Sequence, residues 1–160
     1  MADDLMLTWD TDLMQGDLVI DKGDLQHDGG LESAVRISLF TDRRANDDDE
    51  LIDPNRDDKR GWWGDLVSPE VEGDKIGSRL WLLSRSKTIE QTLVLAKEYT
   101  EEALTWMIED RVVSGIEVEV EKNDQSNSRD AWLAILIKII KTNKETLDLR
   151  YELQWNEQIS

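Results

Sequence analysis

The chain is predicted to be an α+β protein, because a helical period and a strand period occupy separate stretches of its second half. Ile89, Leu93, Ala96, Thr100, Ala103 and Met107 recur three or four residues apart, the spacing of one helix face. Ile116-Glu117-Val118-Glu119-Val120-Glu121 alternates strictly, and so do Leu147, Leu149, Tyr151, Leu153 and Trp155 with the polar residues between them. Trp132 to Ile140 is apolar on both faces, as a central strand is. Short links between consecutive strands favour antiparallel neighbours, so the three form a meander packed on the long helix.

The elements follow in order. A small amino-terminal hairpin is expected where Asp17–Ile20 and Asp24–His27 flank Asp21-Lys22-Gly23, a turn with glycine. Leu31, Ala34, Val35, Ser38 and Leu39 then mark one face of a short helix, begun after Asp28-Gly29-Gly30 and ended near Thr41. From Asp42 to about Lys75 no period survives, and Pro54, Pro69, Gly61, Gly64 and Gly73 lie within this stretch. A long irregular loop inside a domain is commonly a binding loop. Gly77-Ser78-Arg79-Leu80-Trp81-Leu82-Leu83 restores apolar character, and Thr88 with Gln91 forms a capping box for the long helix. Thr142-Asn143-Lys144-Glu145 is the short connection between the last two strands. Residues 1–160 are expected to form a single domain, with an irregular acidic loop at about 42–75.

Composition removes many functions. With 36 Asp plus Glu against 19 Lys plus Arg, the net charge is −17, which opposes a nucleic-acid duplex and an anionic membrane surface. The first 60 residues hold 17 acidic and 7 basic side chains. Absence of Cys excludes disulfides, thiolate zinc sites and a cysteine nucleophile, and the lone His27 excludes a site built on two imidazoles. The amino end, MADDLMLTWD, has no basic region followed by an apolar one, so no secretory signal is expected. The longest apolar run, Ala131 to Ile140, is too short to span a bilayer as a helix and carries Lys138.

Motifs for chemistry are correspondingly weak. Asp53-x-Asn55-x-Asp57 matches the start of a calcium loop, but Asp58 stands where the turn requires Gly and Gly64 where the bidentate Glu belongs. No nucleophile elbow, phosphate loop or HExxH zinc motif occurs. No cofactor, metal or catalytic residue is therefore assigned. The tryptophans carry more information. Trp106 and Trp155 fall on core faces, whereas Trp62-Trp63 stands between Gly61 and Gly64. Adjacent aromatics cannot both face inward from a regular strand. One is expected to plug the core and the other to meet a partner, since Trp is enriched at the energetic centres of interfaces.

Three pieces occur in a recognisable order. Ser38-Leu39-Phe40-Thr41-Asp42-Arg43-Arg44, Arg60-Gly61-Trp62-Trp63-Gly64-Asp65 and Gly77-Ser78-Arg79-Leu80-Trp81-Leu82-Leu83 precede the long helix and the meander. This arrangement resembles a Mu-like phage baseplate protein family, related to the wedge and sheath-initiator proteins of contractile tails. The resemblance covers about residues 15–155. It implies a structural subunit that joins wedge proteins around the central hub or spike and contacts or nucleates the first sheath ring. It further implies several copies per baseplate, a place in the virion tail after assembly in the host cytoplasm, and neither nucleic acid nor membrane as partner. In the wider family the sheet edge can accept a strand from a neighbouring chain. Partner contacts are therefore expected at Arg60, Trp62, Trp63 and Asp65 of the loop, at Glu117, Glu119 and Glu121 of the first strand, and at Arg150 of the last. The wider family's Glu-Pro-Arg element does not occur here.

Two other readings compete. An acidic inhibitor that mimics nucleic acid would use the −17 charge. A cell-wall hydrolase would follow from the lysozyme-like label that some relatives carry. Without a nucleophile or metal motif, the purified chain should not clear peptidoglycan in a zymogram. Clearing abolished by one Asp or Glu substitution would establish a hydrolase instead.

Overall fold

The computed structural model describes residues 4–5, 7–10, 15–18, 20–21, 24–25, 27–28, 30–52, 58–61, 75–85, 89–123 and 130–156. Six short strands come first: β1 (Asp4–Leu5), β2 (Leu7–Asp10), β3 (Gln15–Leu18), β4 (Ile20–Asp21), β5 (Asp24–Leu25) and β6 (His27–Asp28). They are followed by α1 (Leu31–Phe40), a 3₁₀ helix (Leu80–Arg85), α2 (Ile89–Glu109), β7 (Gly115–Asn123), β8 (Asp130–Ile140) and β9 (Thr146–Asn156).

The predicted meander and long helix are both present. β8 is central, paired antiparallel with β7 from Gly115↔Ile140 to Asn123↔Trp132 and with β9 from Asp130↔Asn156 to Ile140↔Thr146. Its inner face, Leu133, Ile135, Ile137 and Ile139, is completely enclosed. Val118 of β7 and Tyr151 of β9 flank that row, and Ala96, Tyr99, Ala103, Leu104 and Met107 of α2 close over the same core. α1 adds Val35 and Leu39. At about 1.5 Å per residue, the 21 residues of α2 extend roughly 32 Å, enough to span a small domain.

α2 ends without glycine. The Val112 N–H reaches back to the Met107 carbonyl (2.9 Å) and the Arg111 N–H to that of Ile108 (3.0 Å), with Arg111 in the left-handed region at φ 59°. This is the Schellman pairing, with arginine where glycine is usual. It turns the chain so that Val113 enters the core and β7 starts alongside the helix.

The amino-terminal hairpin is present but shorter than expected. β4 and β5 pair only through Ile20↔Leu25 and Asp21↔Asp24. Residues 17 and 18 belong to β3, which pairs with β2 (Leu7↔Leu18, Thr8↔Asp17), while β6 pairs with β1 (Leu5↔His27). In this second hairpin Leu7 and Trp9 alternate with Thr8 and Asp10 along β2. The short helix occupies the span expected, with Gly30 as N-cap and Thr41 as C-cap. From Asp42 to Lys75, the described residues contain no helix or strand beyond one bridge at Asp42. Thr88, the first member of the expected capping box, lies outside the described residues.

Tyr151 is 5% exposed, and among the described residues its hydroxyl makes no hydrogen bond of good geometry. The Phe40 ring meets it edge-on at 5.4 Å. Burial pushes the Tyr151 pKa up to about 12, while the nearby Arg36 pulls the other way. Folded and unfolded chains are both neutral at this site below the ordinary value near 10. Above it the unfolded chain ionises first, so stability falls as pH rises from about 10 to about 12, by about 2–3 kcal/mol. Tyr151→Phe should abolish this share of the alkaline loss, leaving the part due to Tyr99, which burial also raises. At neutral pH the variant should lie close to the parent, because the hydroxyl makes no hydrogen bond of good geometry among the described residues. Urea midpoints against pH for both proteins check this.

Candidate functional site

Three stretches distant in sequence meet between the end of α1 and the start of the 3₁₀ helix. Thr41 and Arg43 exchange backbone hydrogen bonds with Ser78, Ser78 N–H to the Thr41 carbonyl and Arg43 N–H to the Ser78 carbonyl, both 2.9 Å. This forms a parallel bridge between Asp42 and Ser78. Gly77 makes the approach possible: its φ is +99°, and a Cβ there would stand 2.3 Å from the Thr41 carbonyl oxygen. The Ser78 hydroxyl donates to the Leu39 carbonyl in the last turn of α1. The third stretch joins where Ala45 N–H donates to the Lys59 carbonyl at 2.8 Å.

Side chains bind the junction further. The Trp81 indole N–H donates to the Arg43 carbonyl (2.9 Å), and the Trp106 indole N–H to the Ser38 hydroxyl (3.0 Å). Arg60 lays its guanidinium 4.5 Å from the Trp81 ring centroid and pairs with Asp42 at 2.7 Å. Arg79 is the most buried charge among the described residues, 7% exposed. It donates to Asp49 (2.7 Å) and Glu102 (2.8 Å) and stacks 4.5 Å over the Tyr99 ring. Burial opposes the Arg79 charge, but the hydrogen bonds and charges of Glu102 and Asp49 more than offset it, holding the guanidinium protonated beyond its ordinary range. At the surface, the hydrogen bond from Lys59, followed by its charge, holds the Asp47 carboxyl below the usual range. The cluster therefore consists of neutralised ion pairs. Among the described residues, no group of three or more His, Cys, Asp or Glu side chains is placed to hold a metal ion.

The expected partner residues fall into two separate groups. Arg60 belongs to this junction and is half engaged there. Trp62, Trp63 and Asp65 lie outside the described residues, as do Asp53, Asn55 and Asp57 of the calcium-like motif. Glu117, Glu119, Glu121 and Arg150 share the outer face of the sheet. Glu117 meets Lys138 at 3.5 Å, and Glu121 meets Arg150 at 3.1 Å. Arg150 also reaches Glu152 at 3.5 Å. Two of the three expected glutamates thus already have cations of their own. Sequence reasoning missed Asp49, Arg79, Tyr99 and Glu102. The available signal was Arg79 itself, a lone charge inside an apolar run, which burial obliges to find counter-charges.

A family model described as "Phage protein GP46" matches residues 31–146. That span runs from α1 into the start of β9 and includes the whole junction. The "Baseplate protein gp46" of Escherichia phage Mu is 40% identical over 153 residues, covering 96% of this chain and 97% of that protein. The "Mu-like prophage FluMu protein gp46" of Haemophilus influenzae is 33% identical over 153 residues, covering 96% of this chain and 98% of that protein.

Arg79→Met should remove the cation from Asp49 and leave Glu102 only Arg43 at 4.0 Å, costing about 3 kcal/mol in urea unfolding, since breaking one side of a buried pair leaves uncompensated charge. Arg79→Lys should fall between, keeping the charge but losing the planar fork and the ring stacking. Gly77→Ala should be at least as damaging as Arg79→Met, because the left-handed backbone and the Thr41 carbonyl both resist a Cβ. A Gly77→Ala protein as stable as the parent would remove the junction from this central position.

Proposed function

The chain belongs to the phage protein GP46 family, and we propose that it is a structural subunit of the baseplate of a contractile phage tail. The observation that carries this reading is similarity along nearly the whole length of both chains to a protein named as a baseplate component. The geometry supports a structural role without catalysis, because the buried charges of the junction are spent on one another and hold loop to helix.

In the finer reading, the chain acts as a single domain, present in several copies in the virion tail. It joins wedge proteins around the hub or spike and contacts the first sheath ring. Trp62 or Trp63, with Arg60 and Asp65 beside them, supplies one partner contact. A sheet edge supplies the other by accepting a strand from a neighbour. Two features favour the edge. Among the described residues, β7 and β9 each pair only with β8, and neither contains the proline that commonly blunts an edge.

Mass spectrometry of purified tails should find the chain, and a nonsense mutant should yield no sheathed tails. The edge needs its own test. Along an antiparallel strand, successive N–H groups point alternately to the neighbour and to the free edge. Of Asp148→Pro and Leu149→Pro on β9, one loses a ladder bond and the other only a free donor; Val118→Pro and Glu119→Pro form the corresponding pair on β7. The member of a pair that keeps the parent circular dichroism spectrum should fold yet fail to enter tails. Normal incorporation of that variant on both strands would exclude docking by strand addition.

A further inference from the structure

The sheet has an outer face that its edges do not describe. Three of the cross-strand rows on it carry its charges: Glu117–Lys138–Asp148, Glu119–Leu136–Arg150 and Glu121–Ala134–Glu152. Down the middle, β8 presents Leu136, partly exposed, between Lys138, which is exposed, and Ala134, which is fully buried. Both flanks carry carboxylates, five in all against two cations. Lys138 is taken by Glu117, and Arg150 is divided between Glu121 and Glu152. Glu119 and Asp148 remain, exposed and in no ion pair with a described residue. They stand on opposite sides of Leu136, one directly across and the other diagonal to it. A shallow depression of about 390 Å³ lies among Glu117, Glu119, Leu136, Lys138, Asp148 and Arg150.

We infer that this outer face docks a basic segment of a neighbouring baseplate protein, one that sets an apolar side chain over Leu136 and directs a lysine or arginine to each of Glu119 and Asp148. Strands spaced about 4.8 Å apart place the two flanks roughly 10 Å from each other, a span that two long cationic side chains on one segment can cover. The occupant follows from charge. A second copy of this chain, at −17, is repelled from an acidic face, and so is nucleic acid. A wholly apolar segment would bury Glu119 and Asp148 without partners, which is costly. Two unpaired carboxylates also reject unsuitable neighbours, giving specificity by repulsion as well as attraction. This surface is independent of the sheet edges, since its contacts are side chains rather than ladder donors. The inference rests on the baseplate reading.

The test places a photo-reactive benzoylphenylalanine at position 136 and, separately, at position 138 of the full chain in the phage. Purified tails are irradiated and the cross-linked peptides sequenced. Cross-links should run to a segment of a different protein carrying at least two lysines or arginines close to the linked residue. Glu119→Lys combined with Asp148→Lys should abolish the cross-link and lower incorporation about tenfold or more, as reversed charges at a contact do. Glu90→Lys with Glu98→Lys, an equal charge change on the exposed face of α2, should incorporate like the parent. A cross-link to a second copy, or to an acidic or uncharged segment, would overturn the inference. So would no cross-link from either position, or an equal loss in the α2 variant. Absence of the chain from parental tails would instead defeat the baseplate reading itself, and mass spectrometry of those tails separates the two failures.

Discussion

The Arg79 guanidinium is the interaction on which the arrangement of loop and helices depends. A cation 7% exposed would be untenable alone, since leaving water costs several kcal/mol even after relaxation. Asp49, Glu102 and the Tyr99 ring offset that cost from three directions. These partners come from the loop and from α2, so the charge is satisfied only when the loop lies against the helix. Such a network adds little net stability compared with apolar packing, but it penalises every other position of the loop. The described part of the connection after α1, around Asp49, is thereby given one place rather than many.

Backbone contacts complete that placement. The bridge at Ser78 requires the chain to pass closer to Thr41 than any Cβ would allow, and Gly77 removes the obstacle. Trp81 then covers the junction, its indole N–H satisfied by the Arg43 carbonyl and its face by Arg60. Trp81, Arg60, Ser78 and Arg79 thus each find a partner from another stretch. The three sequence pieces that resemble the baseplate family are therefore local parts of one contact, at least in the portions that the structure describes. Family likeness and structural necessity coincide there.

The sheet turns one face to the core and the other, charged, to solvent. Its inner face, from Leu133 to Ile139, is enclosed and supplies much of the core. Its outer face is charged and only partly self-neutralised, which suits a protein whose partners are other proteins. A subunit of this kind needs a rigid platform and a selective surface. The alternation of strand side chains provides an enclosed face and a charged face from a single element.

Much of the fold was legible in the sequence because it is written in period. The 3.6-residue spacing of Val35 and Leu39 in α1, the stripe through Ala96, Ala103 and Met107 in α2, and the alternation in β7 and β9 each bury one face and leave the other in water. Local pattern therefore determined element type, strand order and core membership. The short amino-terminal strands were read less well, because two-residue pairings carry almost no periodic signal and β1 finds its partner in β6, far along the chain. The junction was legible only in its parts. Gly77, Ser78 and Arg79 could be singled out, but that Arg79 would meet Asp49 and Glu102 is a matter of tertiary distance. Likewise, Glu117, Glu119 and Glu121 looked equivalent as alternating residues, and only the register of β8 and β9 decided that, among the described residues, two have cations and one does not. Sequence alone determined which residues must leave water; the folded structure decided which charges meet, because pairing depends on contacts between segments that no local period encodes.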